Sequence, residues 1–378
     1  MKAPPHRPEA VRLRALAAPL VASALVGLAA CEGAAPIQPG PISHVLRTLS
    51  VGQQFACAIR ENGTLWCWGA NDSGQLGGGT TAAESASPVQ VGTGTDWVDI
   101  SCGLAHACGL HASHELDCWG SNMFGQVGVD ITSSATVAAP PPVARPGDWP
   151  ADVAWVGVAQ GIGNHQCALD SRGLAYCWGP NDLGELGTGG GYTSIPTLVI
   201  GGPWSDVVTG AEHTCALLAN AVECWGWNAQ EQTDPGDAAS ELETAVVVNI
   251  GRDWTGVSAG MEYSCALSVD GAILCWGGFW GAGLAVGGTQ HWTRISSGWS
   301  ATCALRSDGG LWCWVSGLND GGAATGPPTQ PAPLNAKQIW VDIAVGAYLG
   351  CARTQAGAIY CWSLDGSGNP GGVTPVGE

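Results

Sequence analysis

The chain has 378 residues, including 58 glycines, 19 tryptophans and 16 cysteines, and only 12% of its residues are charged. Because 46% of the residues are hydrophobic, the chain can bury a core, which excludes a disordered acidic tail despite a formal net charge of −18. The only lysines are Lys2 and Lys337, and nucleic-acid binding depends on clusters of lysine and arginine, so we expect no nucleic-acid partner.

Residues 1–30 have the pattern of a secretory signal, with basic residues before an apolar run from Ala15 to Ala30. This run is shorter than the roughly 20 residues that cross a bilayer as a helix. It ends in Leu28-Ala29-Ala30-Cys31, which resembles the bacterial lipobox, so the resemblance implies cleavage before Cys31 and lipidation of Cys31. An ordinary cleavage site beside an incidental cysteine is the alternative. Residues 31–43 are predicted to form a flexible tether.

Fourteen of the sixteen cysteines fall into seven pairs, and a tryptophan follows the second cysteine of every pair. The pairs are Cys57 with Cys67, Cys108 with Cys118, Cys167 with Cys177, Cys215 with Cys224, Cys265 with Cys275, Cys303 with Cys313, and Cys351 with Cys361. In six of the units a further tryptophan lies six residues before a glycine, and the first unit has Leu46 in its place. A period of about 48 residues is typical of solenoids, propellers or arrays.

Each pair fits the two strands of a hairpin. With Glu61-Asn62-Gly63 as the loop, Cys57 lies directly opposite Cys67, and glycine suits the left-handed third loop position. The fourth unit is one residue shorter but keeps its cysteines opposed, as a disulfide requires. A zinc site is the weaker alternative, because zinc ligands usually come as close C-x2-C pairs. Cys102 is left without a partner, as either a buried inert thiol or a reactive one.

Residues 44–378 resemble the RCC1 (regulator of chromosome condensation) repeat family. The resemblance is carried by Gly210–Leu217, by Leu65–Gly77 and by Asn181–Gly187, whereas units five to seven depart from the family pattern after the tryptophan. It implies an all-β fold, a seven-bladed β-propeller. The cysteine pairs are not part of the nuclear family's pattern and suit an exported relative, and their spacing predicts one disulfide in each blade. We expect the C-terminal strand Val373–Val376 to complete the first blade and so close the ring.

The histidines and tryptophans of the repeats have structural interpretations. His106, His165 and His213 share one repeat position, so they should spread around the ring and bond to backbone carbonyls rather than converge on a metal. His111 and His114 flank a turn, where either metal binding or simple exposure is open. The tryptophans at the two repeat positions are predicted to pack between blades.

Variable loops are the candidates for binding, because long loops on a rigid scaffold usually carry recognition. The long loops run from Asp130 to Asp152, from Glu231 to Glu243 and from Gly317 to Gln338. The candidate ligand-binding residues are Trp149, Trp227, Trp280, Asp234 and Asp237. The acidic loop could hold calcium, but its Asp-Pro-Gly-Asp is also a common turn, and we predict no metal site.

No catalytic residues can be assigned, because the chain lacks the G-x-S-x-G, H-E-x-x-H and P-loop motifs. The hypothesis is an exported, monomeric scaffold, anchored by lipid in a bacterial cell envelope, whose loops recognise a protein or another envelope ligand without a cofactor. The anchor would hold it at the periplasmic or the surface face of the outer membrane. The alternatives are an enzyme acting on glycan or peptidoglycan, since paired carboxylates leave no short motif, and an enzyme inhibitor. Nucleotide exchange and chromatin binding are not expected of an exported, acidic chain.

Overall fold

The computed structural model describes residues 46–129, 136–146, 149–281, 283–288, 290–317, 328–335 and 337–377. These residues form seven sheets, six of four strands and one of five, together with one 3-10 turn at Gly278–Trp280. The predicted all-β, seven-bladed propeller is confirmed. Within this described part of the chain, no helix is long and apolar enough to cross a membrane. The predicted signal, Cys31 and the tether lie outside the described residues.

Each blade runs from a first strand at the centre of the ring to an outer strand at its rim. The first strands are Leu49–Val51, Trp97–Cys102, Trp155–Val158 with Gln160–Gly161, Asp206–Thr209, Trp254–Ala259, Trp292–Ser297 and Trp340–Val345. The second strands are Phe55–Ile59, His106–His111, Gln166–Asp170, His213–Leu218, Ser264–Ser268, Ala301–Arg306 and Leu349–Thr354.

The third strands follow the central hairpins, and the outer strands pair with them. The third strands are Leu65–Ala70, Leu116–Ser121, Ala175–Gly179, Ala221–Trp227, Ile273–Trp276, Leu311–Val315 and Ile359–Ser363. The outer strands are Glu84–Gln90, Thr136–Val137, Thr193–Leu198, Glu241–Val247, Leu284–Val286, Ala332–Pro333 and Thr374–Pro375. All the pairings within blades are antiparallel, and Gln160–Gly161 adds a parallel pairing to the first strand of the fourth blade.

The hairpin between the second and third strands explains the cysteine spacing. Cys57 lies directly opposite Cys67, with their Cα atoms 4.0 Å apart. Gly63 closes the loop at a φ of 74°, which glycine adopts without the steric cost that a Cβ brings. In the shorter fourth unit Cys215 still lies directly opposite Cys224, with Cα atoms 4.1 Å apart. The loop length therefore changes while the cysteine register is kept.

The seven predicted disulfides are confirmed, one in each blade, and the zinc alternative for these cysteines is excluded. The bonded pairs are Cys57 with Cys67, Cys108 with Cys118, Cys167 with Cys177, Cys215 with Cys224, Cys265 with Cys275, Cys303 with Cys313, and Cys351 with Cys361. In every pair the two cysteines are direct cross-strand partners. Each disulfide thus joins the second strand of its blade to the third.

The tryptophans that follow the second cysteines pack between blades, as predicted. Trp119 of the second blade is fully buried in a cluster with Phe55 and Leu76 of the first blade. Its indole Nε1–H donates to the carbonyl of Gln75 over 2.9 Å. Each blade therefore contributes side chains to its neighbour's core, which is how a repeat too small to fold alone becomes stable.

The ring closes differently from the expectation. Thr374–Pro375 pairs with Tyr360 and Cys361 of the seventh blade, so the C-terminal strand does not complete the first blade. The first blade already has its inner strand, because Leu49–Val51 pairs with residues 56–58. The prediction was wrong because it requires the last strand of each unit to belong to the following blade. In the first unit Val89 instead pairs with Cys67 of its own blade.

Packing and loop contacts close the ring instead. Leu49 and Val51 share a buried cluster with Ala344 and Cys351 of the seventh blade. The glycine that follows each first strand lets neighbouring loops touch. A Cβ on Gly346 would lie 1.9 Å from the carbonyl oxygen of Gly52, a distance that only glycine can tolerate.

Candidate functional site in the central channel

The first strands of six of the blades line a cavity of about 240 Å³ on the axis of the ring. At one end, which we call the mouth, Thr255, Thr293 and Arg294 are exposed to solvent. Towards the other end Ser258 and Ser297 are buried. Beyond them lie the glycines that follow the first strands, such as Gly52 and Gly346, whose loops are in close contact. The channel is therefore a pocket that opens at its mouth.

Arg47 crosses this channel. Its guanidinium Nη1 and Nη2 donate to the two carboxylate oxygens of Asp206, at 3.1 and 2.7 Å, which joins the start of the first blade to the fourth. Its backbone N–H donates to Asp99 Oδ1 over 2.8 Å. Burial lowers the pKa of Arg47, but the charge and hydrogen bonds of Asp206 outweigh this effect and leave that pKa raised. Arg47 thus remains a charged tie between blades that are not neighbours.

A second ion pair lies at the mouth. Arg294 Nη1 lies 3.2 Å from Asp342 Oδ1, and the Arg294 side chain is 43% exposed while that of Asp342 is 12% exposed. Burial raises the pKa of Asp342, and the nearby charges of Arg294 and Arg353 only partly oppose this rise. The pair therefore combines a well-solvated cation with a poorly solvated anion.

Sequence reasoning missed these channel residues, although a signal was present. Asp99, Asp206, Arg294 and Asp342 all stand two residues after the upstream tryptophan of their unit. A charged residue at a fixed position of otherwise apolar first strands would have indicated a polar ring on the axis. The third and fifth blades have glycine at this position, the fifth as Gly256.

The predicted recognition tryptophans belong to different blades and differ in burial. Trp280 is only 6% exposed and packs in the core of the fifth blade, so its side chain is not on the surface. Trp149 is half-buried, with its ring centroid 4.5 Å from that of Trp155 and 5.1 Å from that of Tyr176. Trp227 is half-buried at the end of a third strand.

Asp234 and Asp237 lie in a turn of the acidic loop, where the N–H of Asp237 donates to the carbonyl of Asp234 over 3.3 Å. Burial, together with the charge of Asp237, raises the pKa of Asp234. In the described part of the chain, no three His, Cys, Asp or Glu residues are grouped so that they could hold a metal ion. This part of the loop is therefore a turn held by hydrogen bonds.

His111 and His114 each have partners in the structure. His111 lies between Asp96 and Asp117, at 2.9 and 3.3 Å, and hydrogen bonding to Asp117 is the main reason that its pKa is raised. His114 Nδ1 lies 2.9 Å from the carbonyl oxygen of Trp155. Both imidazoles are therefore held by groups of the same molecule.

The three repeat histidines are structural, but their partners differ from the prediction. The Nε2 atom of each reaches a side chain of the next blade rather than a backbone carbonyl. The pairs are His106 with Gln166 at 3.3 Å, His165 with Thr214 at 2.8 Å and His213 with Ser264 at 2.9 Å. Burial lowers the pKa of His106 to about 4, and that of His165 and His213 to about 3. They are neutral links between blades.

Cys102, the free cysteine of the described residues, is buried in the first strand of the second blade. Burial raises the pKa of its thiol to about 12. Since the thiolate is the reactive form, this thiol is chemically inert.

The comparisons agree with this architecture. Two family profiles, both described as the regulator of chromosome condensation (RCC1) repeat, match residues 62–110 and 172–217, and residues 47–75, 97–126 and 292–314. Over 213 residues the chain is 28% identical to the ultraviolet-B receptor UVR8 of Arabidopsis thaliana, covering 54% of this chain and 46% of that protein. It is 32% identical over 159 residues to the human probable E3 ubiquitin-protein ligase HERC6, covering 40% of this chain and 15% of that protein. These matches span less than half of either relative.

Solved structures show the same fold. Prp20p from Saccharomyces cerevisiae superposes with a TM-score of 0.70 and 19% identity, over 88% of this chain and 87% of that one. Human WBSCR16 superposes with a TM-score of 0.69 and 20% identity, over 80% of this chain and 85% of that one. The likeness to these structures shows the fold, and the matched repeat profiles assign the chain to the RCC1 repeat family.

Proposed function

We propose that this protein is an extracytoplasmic binding scaffold, held to a cell envelope by a lipid on Cys31, whose loops recognise a protein or another envelope ligand. The observation that carries the proposal is the disulfide in every blade. Disulfides persist where the surroundings are oxidising and are rare in the reducing cytosol. The basic and apolar N-terminal segment that ends at Cys31 supports the same location.

A rigid ring suits binding, because its loops are held in fixed positions. Prp20p, which shares the fold, binds Gsp1p and histones. For this chain, protein binding is the function that such a scaffold supports best. The long evolutionary distance, at 19% identity, means that the partner itself does not carry over.

One loop of the second blade has the surface that a protein partner would bind. Met123 and Phe124 are 65% and 45% exposed, where the first blade has Asp72 and Ser73. This loop touches the outer strand of the third blade, because a Cβ on Gly125 would lie 2.7 Å from Ser194 Cβ. Exposed large apolar side chains on a soluble fold are typical of interaction sites.

The anchor is tested with Cys31→Ser. We expect the wild-type chain to sediment with membranes and to incorporate labelled palmitate, and the variant to lose both properties. Cys102→Ala is the matched control, because that thiol is buried and unpaired, and it should stay with membranes. If Cys31→Ser still sediments with membranes, the lipid anchor is refuted.

Binding is tested with a photo-crosslinking amino acid at position 124 in living cells. We expect a discrete crosslinked protein adduct from this position and none from position 269, where Val269 is 71% exposed in the fifth blade. Saccharide cleavage by the purified chain, without any adduct, would contradict the scaffold and favour an enzyme.

A further inference from the structure

We propose that the mouth of the central channel binds a small zwitterion carrying one carboxylate and one ammonium group, as free α-amino acids do. The ligand's carboxylate would bind the guanidinium of Arg294, and its ammonium group would bind Asp342. This inference rests on the channel alone and is independent of the lipid anchor and of the partner proposed for the loops.

Arg294 differs from the other channel arginine in how much of its guanidinium is engaged. Arg47 uses both terminal nitrogens on Asp206 and is 16% exposed. Among the described residues, Arg294 makes one hydrogen bond, from Nη1 to Asp342, and 43% of its side chain faces solvent at the mouth. A guanidinium has five N–H donors in a planar fork that matches a carboxylate. Arg294 can therefore receive a carboxylate without losing Asp342.

Asp342 is an anion that a second cation would stabilise. Its Oδ1 accepts the N–H of Ile343 at 3.0 Å and one N–H of Arg294. Within the described ranges, its Oδ2 has one long contact of 3.5 Å, with Thr48. Arg353, although close, directs Nη2 to the carbonyls of Thr48 and Ile59. Burial raises the pKa of Asp342, which an ammonium group bound to Oδ2 would reverse.

The space for the ligand comes from a glycine that packing does not require. Gly256 lines the cavity in the fifth blade, next to Arg294 of the sixth. A Cβ there would meet only Leu267 among the described residues, at 3.5 Å, which is an ordinary contact. Its φ is not in the left-handed region. A larger side chain would fit the backbone but would occupy the cavity.

The size and charge of the site exclude other ligands. A cavity of about 240 Å³ has room for several waters or a small organic molecule but not for a folded segment. A simple anion would leave Asp342 poorly compensated, and a simple cation would be repelled by Arg294. A ligand with both charges satisfies both side chains at once.

The test is equilibrium dialysis and thermal shift of the purified full chain with the twenty proteinogenic amino acids, first pooled and then singly. We expect at least one amino acid to bind saturably and to raise the melting temperature, because a ligand that binds only the folded chain stabilises it. Its N-acetyl and carboxamide derivatives, each lacking one charge, should bind at least tenfold more weakly.

Two variants test the site, and Gly256→Val does so without removing any charged group. Gly256→Val should keep the wild-type melting temperature without ligand and abolish binding, and Arg294→Gln should weaken binding at least tenfold. Arg252→Gln, which removes a guanidinium paired with Asp270 on the exposed surface, should bind as the wild type does. Failure of the whole pool to bind the wild-type chain, or unchanged binding by Gly256→Val, would overturn the proposal.

Discussion

Replacing Arg47 by methionine is expected to lower the free energy of unfolding by about 3–5 kcal/mol, because it leaves the Asp206 carboxylate buried without its cation. The Asp206 side chain is only 6% exposed and that of Arg47 16% exposed, so this ion pair is largely shielded from bulk solvent. The loss should be large because this pair joins the first blade to the fourth across the channel. Urea denaturation of the purified chain, followed by tryptophan fluorescence, measures the change.

A matched arginine separates burial from charge. Arg252 pairs with Asp270 at 3.2 Å, but both side chains are largely exposed, at 45% and 65%. Arg252→Met should therefore change the free energy of unfolding far less than Arg47→Met does. In the double variant Arg47→Met with Asp206→Leu, both members of this ion pair are removed, so most of the loss should be regained. Equal losses for Arg47→Met and Arg252→Met would show that the channel pair is not a structural tie.

The blade and its disulfide could be predicted from the sequence because the signals are local and repeated. Cys57 and Cys67 are ten residues apart, and a three-residue loop ending in Gly63 already places them opposite each other. Because a similar cysteine spacing recurs in all seven units, it fixes the register of the two hairpin strands. Closure of the ring involves residues about 300 positions apart, such as Leu49 and Ala344. No local pattern reports that contact, and the expectation about the C-terminal strand was wrong.

The channel was missed for a related reason. Asp206 alone is an acidic residue in a strand, and Arg47 alone precedes one. Only the arrangement of the blades around a common axis brings Arg47 and Asp206 together. Trp280 illustrates the opposite error, because an irregular stretch of sequence suggested an exposed loop. The chain forms a 3-10 turn at Gly278–Trp280, and Trp280 is buried, with only 6% of the residue exposed.

Acidification is expected to destabilise the ring through its three buried histidines. Between the ordinary pKa near 6.5 and the folded values of about 4 for His106 and about 3 for His165 and His213, the unfolded chain binds protons that the folded chain does not. The free energy of unfolding therefore falls as the pH falls through this window. At pH 5 the loss is about 2 kcal/mol for each histidine, or about 6 kcal/mol in all.

Other groups act in the opposite direction. His111 has a raised pKa, chiefly through its hydrogen bond to Asp117, so it takes up a proton more readily in the folded chain and adds stability as the pH falls. Burial also raises the pKa of Glu185, Glu212 and Glu262, which favours their protonated forms in the folded chain. The free energy of unfolding therefore changes less steeply with pH than the three histidines alone would make it change. Variants that lack these histidines isolate their contribution.

The chain itself offers the variants, since other blades have Phe55 and Tyr263 at the histidine position. We expect the triple variant with His106→Phe, His165→Phe and His213→Tyr to lose about 4 kcal/mol less per pH unit than the wild type, near pH 5.5, in urea denaturation. The control His291→Gln, at an exposed position, should keep the wild-type slope. Because the comparison uses slopes, it holds even if the triple variant is less stable at pH 7.5. Parallel curves for the wild type and the triple variant would show that protonation of these links does not drive acid unfolding.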